Sequence, residues 1–348
     1  MCRRGLAIRI LHPPAATTGQ TGVVEPSLPE LLETARVVAL PLATRFRGIE
    51  QREALLLDGP LGWSEFSPFL EYAPVEAAAW LAAAIDFGWS EPPAPLRESI
   101  RVNATLPAVR PERVTGILDR FPGCRTVKVK VAERGQGLAD DVARVAAARD
   151  YLGPEGRLRI DANGAWSVDE AETAIRALAA YDLEYVEQPC ASVAELADIR
   201  RRVAEIGVPI AADESVRKAD DPLAVARAGA ADILVIKAQP LGGIAAALRI
   251  VASAGLPVVV SSALDTSVGL SMGARLAASI PELEFDCGLG TAALLAADVT
   301  EEPLVPVGGS IPVRRIEVSA RLLERYAAAP DREAWWRLRL ERCYAELA

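Results

Sequence analysis

The sequence predicts an α/β barrel preceded by a small α+β domain. Short apolar runs alternate with amphipathic stretches about eight times, a repeat that is typical of parallel strands wrapped by helices. The 348-residue chain is 51% hydrophobic and 24% charged, which provides apolar material for one large core or two smaller ones. A doubly wound open sheet fits a similar pattern, but no Gly-x-Gly-x-x-Gly follows the first barrel strand, which argues against its dinucleotide-binding form.

Composition changes along the chain predict the domain boundaries. Residues 1–33 are rich in Pro, Gly and Thr without periodicity, so we expect a flexible extension. Residues 34–98 contain strand-like runs and then helical spacing over 74–87, which predicts the α+β domain. Residues 99–304 carry the strand–helix repeat of the barrel. The segment 305–348 returns to mixed patterns and is expected to complete the first domain.

The barrel units follow one another in order. Helices are expected at 139–151, 168–180 and 192–205, among others. The eight predicted strands are 100–103, 126–131, 158–163, 185–189, 209–215, 233–237, 257–262 and 283–287.

Composition also excludes several classes of function. The single histidine, His12, lies in the N-terminal stretch, so Ser–His–Asp or Cys–His catalysis and a His-bound zinc are excluded. The net charge of −9, without a basic tract, makes nucleic acid a poor partner. Five dispersed cysteines predict reduced thiols in a cytoplasmic protein, and no apolar stretch is long enough to span a membrane. The sequence leaves the oligomeric state open.

Five charged residues stand late in successive predicted strands. Lys130, Asp161, Glu187, Asp213 and Lys237 are separated by 31, 26, 26 and 24 residues, each close to one strand–helix unit. Buried parallel strands are normally apolar, and barrel enzymes carry their chemistry at the carboxyl ends of the strands. We therefore expect three carboxylates and two ammonium groups around one opening.

Each of these residues also has a structural explanation. The alternating run around Lys128 and Lys130 fits an edge strand, and Asp161 fits a turn. Asp213 fits a helix N-terminus and Lys237 fits a strand-end charge that prevents aggregation. Their common spacing favours the functional interpretation.

The set predicts a metal-assisted reaction. Three carboxylates without histidine suit Mg²⁺ or Mn²⁺. Lys128 and Lys130 point the same way, about 6.6 Å apart along the strand at roughly 3.3 Å per residue. A like charge and burial both lower the pKa of a lysine, as a general base near neutral pH requires. A metal with lysines on two sides suits removal of a proton alpha to a carboxylate of a small molecule.

These motifs resemble the enolase superfamily, for which a Lys or His base with Mg²⁺ and an ene-diolate is the established pattern. Lys128-Val-Lys130 and Lys237 resemble its muconate lactonising subgroup, as do the strand-end motifs that contain the three carboxylates. Within that subgroup the likeness is to the o-succinylbenzoate synthases of menaquinone biosynthesis. It is carried by residues 159–166, 185–190, 261–269 and the N-terminal run 62–69.

The resemblance implies a (β/α)7β TIM-like barrel, an N-terminal capping domain and an Mg²⁺-dependent lyase. It implies that a proton alpha to a carboxylate is removed through a metal-stabilised enediolate, and that water then leaves on the same face. Lys130 would be the base, tuned by Lys128, and Lys237 would stabilise the enolate. The family pattern favours Asp213 over Glu214, a choice that strand alternation leaves open. The implied metal ligands are Asp161, Glu187 and Asp213; the implied substrate-binding residues are Asn163, Arg159, Ser262, Gly288 and Gly290, with Phe46, Arg47 and Phe66 as further candidates in the cap.

Three other functions remain as alternatives. An N-acylamino acid racemase or dipeptide epimerase would use Lys130 and Lys237 on opposite faces of the substrate. The Asp-x-Asp run that many dipeptide epimerases carry after the last strand is absent here, where the chain reads Phe285-Asp-Cys-Gly. A Schiff-base aldolase would leave the carboxylates unexplained. A non-catalytic metal-bound scaffold would bind metal without turnover.

Overall fold

A computed structural model describes residues 25–217 and 221–347. In its N-terminal part, β1, β2 and β3 form an antiparallel sheet, and seven later strands form a parallel one. The strands are β1 Arg36–Phe46, β2 Ile49–Gly59, β3 Gly62–Phe66, β4 Ser99–Arg101, β5 Ala104–Leu106, β6 Thr126–Lys130, β7 Arg157–Asp161, β8 Leu183–Glu187, β9 Ile210–Ala212, β10 Ile233–Ile236, β11 Val258–Val260 and β12 Ser310–Pro312. The α-helices are α1 Leu28–Thr34, α2 Pro74–Trp89, α3 Val114–Leu118, α4 Leu138–Leu152, α5 Val168–Leu178, α6 Val193–Arg202, α7 Glu214–Arg217, α8 Ala224–Arg227, α9 Ile244–Ala254, α10 Ser267–Ser279, α11 Ala320–Arg325 and α12 Pro330–Ala345.

The parallel sheet curls into a barrel. Its order is β5-β6-β7-β8-β9-β10-β11, and helices connect its successive strands. The two outer edges are joined by residues 287–288, because Cys287 pairs with Val102 and Gly288 pairs with Ser261, both in parallel. The barrel prediction is therefore confirmed, and the open-sheet alternative is wrong.

Two predicted barrel strands differ from those in the structure. The first is at Ala104–Leu106 rather than 100–103, because β4 pairs with β12 instead. The eighth consists of two isolated bridges rather than a strand. The chain passes within a few residues into the 3-10 turn Thr291–Leu294, which leaves no length for a longer ladder.

The N-terminal sheet is built on a tight hairpin. Arg47 and Gly48, between β1 and β2, have φ values of 48° and 80°, as a two-residue hairpin turn requires. One face of this sheet packs on α2 and α12. Trp336 is fully buried there, and its ring stands edge-on to the ring of Phe66 with 5.9 Å between the ring centres. This turn projects Arg47 beside the barrel opening.

The chain is helical earlier than the sequence predicts. Helix α1 begins at Leu28, inside the predicted extension 1–33, and Leu31 is buried in the same core as Trp336. Glu30 stabilises the first turn by accepting a hydrogen bond from the Ser27 amide at 2.7 Å. The rest of that prediction, residues 1–24, lies outside the described residues. Across the described ranges, no helix combines the length and apolarity needed to cross a membrane.

Candidate active site

Adjacent strands bring the predicted charged residues together. Lys130 is in register with Asp161, and Asp161 with Glu187, so the three stand side by side at the carboxyl ends of β6, β7 and β8. Asp213 follows β9 directly, and Lys237 follows β10. Parallel strands end at one rim of the barrel, which is why residues this far apart in sequence meet.

The lysines and the carboxylates form close ion pairs. Lys128 Nζ lies 2.7 Å from Glu187 Oε1 and 3.3 Å from Asp161 Oδ2. Lys130 Nζ lies 2.5 Å from the same Asp161 oxygen, and across the rim Lys237 Nζ lies 2.6 Å from Asp213 Oδ2. All three carboxylates are at most 1% exposed. The edge-strand interpretation of Lys128 and Lys130 is thus wrong, because both side chains point into the barrel.

Burial and neighbouring charges separate the pKa values of these groups. Burial lowers the pKa of Lys130, and the charge of Lys128 acts in the same direction, against the attraction of Asp161. For Lys128, attraction by Glu187 and Asp161 outweighs burial and raises the pKa. Of the two buried amines on β6, Lys130 is therefore the one that loses its proton more readily.

The carboxylates are perturbed in opposite directions. Burial raises the pKa of Glu187 to about 7, and the negative charge of Asp161 adds to this effect. Burial also opposes ionisation of Asp161 and Asp213, but the nearby lysines outweigh it and lower the pKa of each, that of Asp213 to about 2. For Glu187, burial thus outweighs the ion pair with Lys128.

Asn163 closes the turn after β7. It has a φ of 49°, its amide donates to Asp161 Oδ1 at 3.0 Å, and its Oδ1 accepts from Lys130 at 2.9 Å. An asparagine tolerates this left-handed conformation better than most residues. The residue that the sequence singled out beside the carboxylates therefore contacts both Asp161 and Lys130.

Arg217 is a neighbour of the carboxylates that the sequence analysis missed. Its guanidinium contacts Asp213 at 3.2 Å and Glu214 at 2.7 Å, and it also donates to Tyr72 of the N-terminal domain. The i, i+4 spacing from Asp213 is the signal that identifies it. Glu214, the alternative to Asp213, lines a small cavity over the ion pairs and accepts a hydrogen bond from Asn163.

The donor set suits a hard divalent cation. Three buried carboxylates converge on one rim, and a cation would offset both the burial and the repulsion by Asp161 that raise the pKa of Glu187. In the described ranges, no three His, Cys, Asp or Glu side chains are close enough as they stand to enclose a metal ion. Each of these carboxylates forms an ion pair with a lysine, so a bound metal ion would share its ligands with the lysines.

Of the predicted substrate-binding residues Ser262, Gly288 and Gly290, two line a small cavity over the ion pairs. Ser262 and Gly288 are in its wall. The Ser262 hydroxyl donates to the Gly288 carbonyl at 2.8 Å, and its oxygen lies 2.9 Å from Thr291 Oγ1. Gly290 is not among the residues of this wall; a Cβ there would meet the Asn103 carbonyl at 2.9 Å. The hydroxyl proton of Ser262 is therefore donated to the Gly288 carbonyl, and this wall contributes its shape to the cavity rather than a free donor.

Arg159 lies beneath the opening rather than in its wall. It is on the same face of β7 as Asp161 but two residues deeper, and it is fully buried. Its guanidinium donates to Glu184 at 2.5 Å, to Asn103 and to the Asp286 carbonyl. These contacts orient it toward the base of the barrel, and Arg159 is not among the residues that line the opening.

Two cavities adjoin at the rim. The inner one, about 40 Å³, lies over the ion pairs; the outer one, about 720 Å³, lies between the β1–β2 hairpin and the loop after β6. Phe46, Arg47, Lys130 and Asn163 line both. A drug-sized ligand needs a few hundred Å³, so the inner cavity alone is too small to hold one.

Comparison with known proteins identifies the family. Residues 37–88 match the enolase N-terminal domain-like model, and residues 118–316 match the enolase C-terminal domain-like model. The chain is 58% identical over 310 residues to an o-succinylbenzoate synthase from Thermobifida fusca, which covers 88% of this chain and 95% of that one. The chain belongs to the o-succinylbenzoate synthase family. A Mycobacterium leprae member is 54% identical over 323 residues, covering 92% of this chain and 95% of that one.

Superposition on solved structures shows that this member of the synthase family has the fold of the enolase superfamily. Muconate lactonizing enzyme from Pseudomonas fluorescens, complexed with muconolactone, superposes with a TM-score of 0.73 at 21% identity, covering 84% of this chain and 98% of that one. An L-Ala-D/L-Glu epimerase from Bacillus subtilis superposes at 0.70 and 24% identity, covering 82% and 96%. The predicted family and fold are confirmed, and a divalent metal belongs to the chemistry of this superfamily.

Proposed function

We propose that this protein is a lyase that dehydrates 2-succinyl-6-hydroxy-2,4-cyclohexadiene-1-carboxylate to 2-succinylbenzoate in menaquinone biosynthesis. The observation that carries the proposal is the 53–58% identity, over about nine-tenths of the chain, to curated o-succinylbenzoate synthases. The buried lysines and carboxylates at the barrel rim supply a chemistry that fits this reaction.

Lys130 is the proposed base. Its lowered pKa favours the neutral amine, whose Nζ takes the proton alpha to the ring carboxylate. The same ammonium then returns that proton to the hydroxyl on the adjacent carbon as the C–O bond breaks, so water leaves on the face from which the proton came. The ring becomes aromatic, and Lys130 is neutral again.

Lys128 and Lys237 act by charge. Lys128, held on Glu187, stays protonated and favours the neutral form of Lys130. Lys237, on the opposite side of the rim, presents its charge to the carboxylate as negative charge develops there. Neither lysine needs to exchange a proton with the substrate in a syn elimination.

Mg²⁺ is the proposed cofactor, with Mn²⁺ as a substitute. Asp161, Glu187 and Asp213 would hold it, with Asn163 fixing the Asp161 carboxylate. When bound, the ion supplies positive charge that favours loss of the alpha proton. We propose a small-molecule carboxylate as the partner and the cytoplasm as the location, as the composition predicts.

The direct test follows the formation of aromatic product. Purified protein, Mg²⁺ and the cyclohexadiene carboxylate are mixed, and absorbance of 2-succinylbenzoate is recorded. We expect rapid turnover that EDTA abolishes and Mg²⁺ restores. Absence of turnover with metal bound would contradict the proposal. Deuterium exchange at the alpha carbon of N-acylamino acids in that sample would instead support the racemase alternative.

A further inference from the structure

Two of the three rim carboxylates are positioned by the parallel sheet, and the third is not. Asp161 pairs with Glu187 in the ladder between β7 and β8, and Glu187 pairs with Ala211 of β9. Asp213 stands one residue beyond β9, outside the registers in which that strand pairs with β8 and β10. Its place relative to Glu187 must therefore be set by a contact other than the ladder.

The side chain of Gln188 supplies that contact. Gln188 follows Glu187 directly and is fully buried. Its Oε1 accepts a hydrogen bond from the Asp213 amide at 2.9 Å and another from the Ser215 amide at 3.2 Å. A side chain beside one carboxylate thus holds the backbone that carries another.

The nitrogen of the same side chain is held as firmly as its oxygen. Nε2 of Gln188 donates to the Ser215 hydroxyl at 2.7 Å and to the Cys190 carbonyl at 2.8 Å. A carboxamide has two donor hydrogens and two acceptor lone pairs, so the hydrogen-bonding capacity of Gln188 is complete. A fully satisfied buried polar group is rigid, which suits it to fix the position of a neighbouring group.

The backbone of Gln188 supports the same interpretation. Its φ of 39° lies in the left-handed region, which a residue other than glycine seldom adopts and which occurs preferentially at functional sites. Its amide donates to the Ala211 carbonyl at 2.7 Å, and its carbonyl accepts from the Gly164 amide at 2.7 Å. Gln188 therefore joins the carboxyl ends of β7, β8 and β9, which are the strands that present the three carboxylates.

We propose that Gln188 is a positioning residue of the metal site and sets the place of Asp213 relative to Glu187. This inference rests on the metal ligands of the proposed function and deepens it. Mg²⁺ demands near-ideal octahedral geometry, so a shift in the backbone of one ligand weakens binding even when every carboxylate is retained. Gln188 acts through Asp213 and takes no part in proton transfer.

Calorimetric titration of Mg²⁺ into the metal-free protein tests this role without substrate. Gln188→Met removes the amide at similar side-chain length, and Gln188→Asn keeps the amide but draws it back from Asp213. We expect the Kd for Mg²⁺ to rise about ten- to a hundredfold in both variants, as is typical when a hydrogen-bond partner of a metal ligand is lost. The Mg²⁺ concentration that gives half-maximal turnover should rise in parallel, with a much smaller change in kcat at saturating Mg²⁺.

Two further variants serve as controls. Ser215→Ala removes one acceptor of the Gln188 nitrogen but leaves the hydrogen bond from the Asp213 amide, so its Kd for Mg²⁺ should stay close to that of wild type. Gln51→Met makes the same substitution at an exposed position on β2 and should leave the Kd unchanged.

Thermal unfolding of the metal-free variants separates positioning from packing. If both Gln188 variants melt at lower temperature but bind Mg²⁺ as tightly as wild type does, the role of Gln188 is structural only and the proposal is wrong. A loss of Mg²⁺ affinity in Ser215→Ala as large as that in Gln188→Met would also overturn it. If Gln188→Met does not fold, Gln188→Asn decides the question. Absence of Mg²⁺ binding by wild type would contradict the proposed metal site itself, and this inference with it.

Discussion

At the barrel rim, the pKa of a side chain depends on its surroundings more than on its chemical type. Lys128 and Lys130 are two residues apart on one strand, yet their pKa values move in opposite directions. Lys128 is bound to both oxygens of Glu187, at 2.7 and 2.9 Å, whereas Lys130 shares Asp161 with it. The same residue type thus provides one fixed charge and one removable proton.

Replacement of Lys130 and of Lys237 should separate the roles proposed for them. Lys130→Ala removes the base, so we expect turnover to be abolished while metal binding is retained. Lys237→Ala removes charge stabilisation only, so we expect kcat to fall by about 10²–10³, by analogy with the loss of one oxyanion donor. Steady-state kinetics and calorimetric titration of Mg²⁺ measure both effects. Activity near wild type in Lys130→Ala would exclude Lys130 as the base.

A single methyl group at Gly288 should disturb the cavity wall. A Cβ there would lie 2.4 Å from Ser261 Oγ and 3.1 Å from Ser261 Cβ, so Gly288→Ala must displace the Ser261 side chain, which lies next to Ser262. We expect a loss of about 1–3 kcal/mol in unfolding free energy and a marked loss of activity. The control is Gly116→Ala in α3, where nothing lies within 4 Å of the added atom. If both variants behave alike in urea unfolding and in turnover, the close packing at Gly288 is unimportant.

At the scale of elements, a buried carboxylate joins the two parts of the chain. Glu65, at the end of β3, accepts hydrogen bonds from the Thr266 hydroxyl at 2.6 Å and the Gly269 amide at 2.9 Å, at the start of α10. It thereby caps the helix that follows the cavity-wall loop. Both Glu65 and the nearby Asp265 are buried.

The burial of Glu65 should make stability depend on pH. Burial raises the pKa of Glu65 to about 7, and the charge of Asp265 adds to the shift. The pKa of Glu65 in the folded state lies above that in the unfolded state, so the folded protein holds the proton more tightly. The contribution of this proton to the unfolding free energy is therefore complete below about pH 4.5 and is lost as the pH rises through about 7. Glu65→Gln should therefore flatten the decline of unfolding free energy between pH 5 and 7.5.

Urea unfolding at several pH values measures that slope. Asp58→Asn, at an exposed position on β2, is the matched control and should keep the wild-type slope. An unchanged slope in Glu65→Gln would show that Glu65 titrates normally in the folded protein.

At the scale of the whole molecule, the C-terminal helix returns to the N-terminal domain. Helix α12 packs on α2, and the indole of Trp336 donates to Glu53 on β2 at 2.7 Å. Glu53 also binds Arg332 of the same helix. The last residues of the chain thus hold the sheet that carries the β1–β2 hairpin over the barrel mouth.

Loss of the Trp336 side chain should therefore affect more than α12. Trp336→Ala leaves a cavity in the core between the N-terminal sheet and helices α2 and α12, and it leaves Glu53 with one hydrogen-bond donor fewer. We therefore expect a loss of about 3–5 kcal/mol in unfolding free energy. Trp335→Ala, at the neighbouring and partly exposed position, should cost much less. Thermal and urea unfolding of both variants provide the measurement. Equal losses would argue against Trp336 as the anchor of the helix.

The sequence by itself determined the barrel, the five charged strand ends and their likeness to a family. These features are local and periodic: each unit repeats about every 26 residues, and each charge interrupts an apolar strand. The sequence also named Asn163, Ser262 and Gly288, which the structure places at the opening.

Only the tertiary structure decided which lysine faces which carboxylate, and that Arg159 lies below the site. It alone showed that the eighth strand is two bridges, and that Arg47 lines the inner cavity. These facts depend on contacts between residues far apart in the chain, such as Lys128 with Glu187 or Arg47 with the barrel rim. Periodicity reports which face of an element is buried, but it carries no information about the distance between two side chains on different elements.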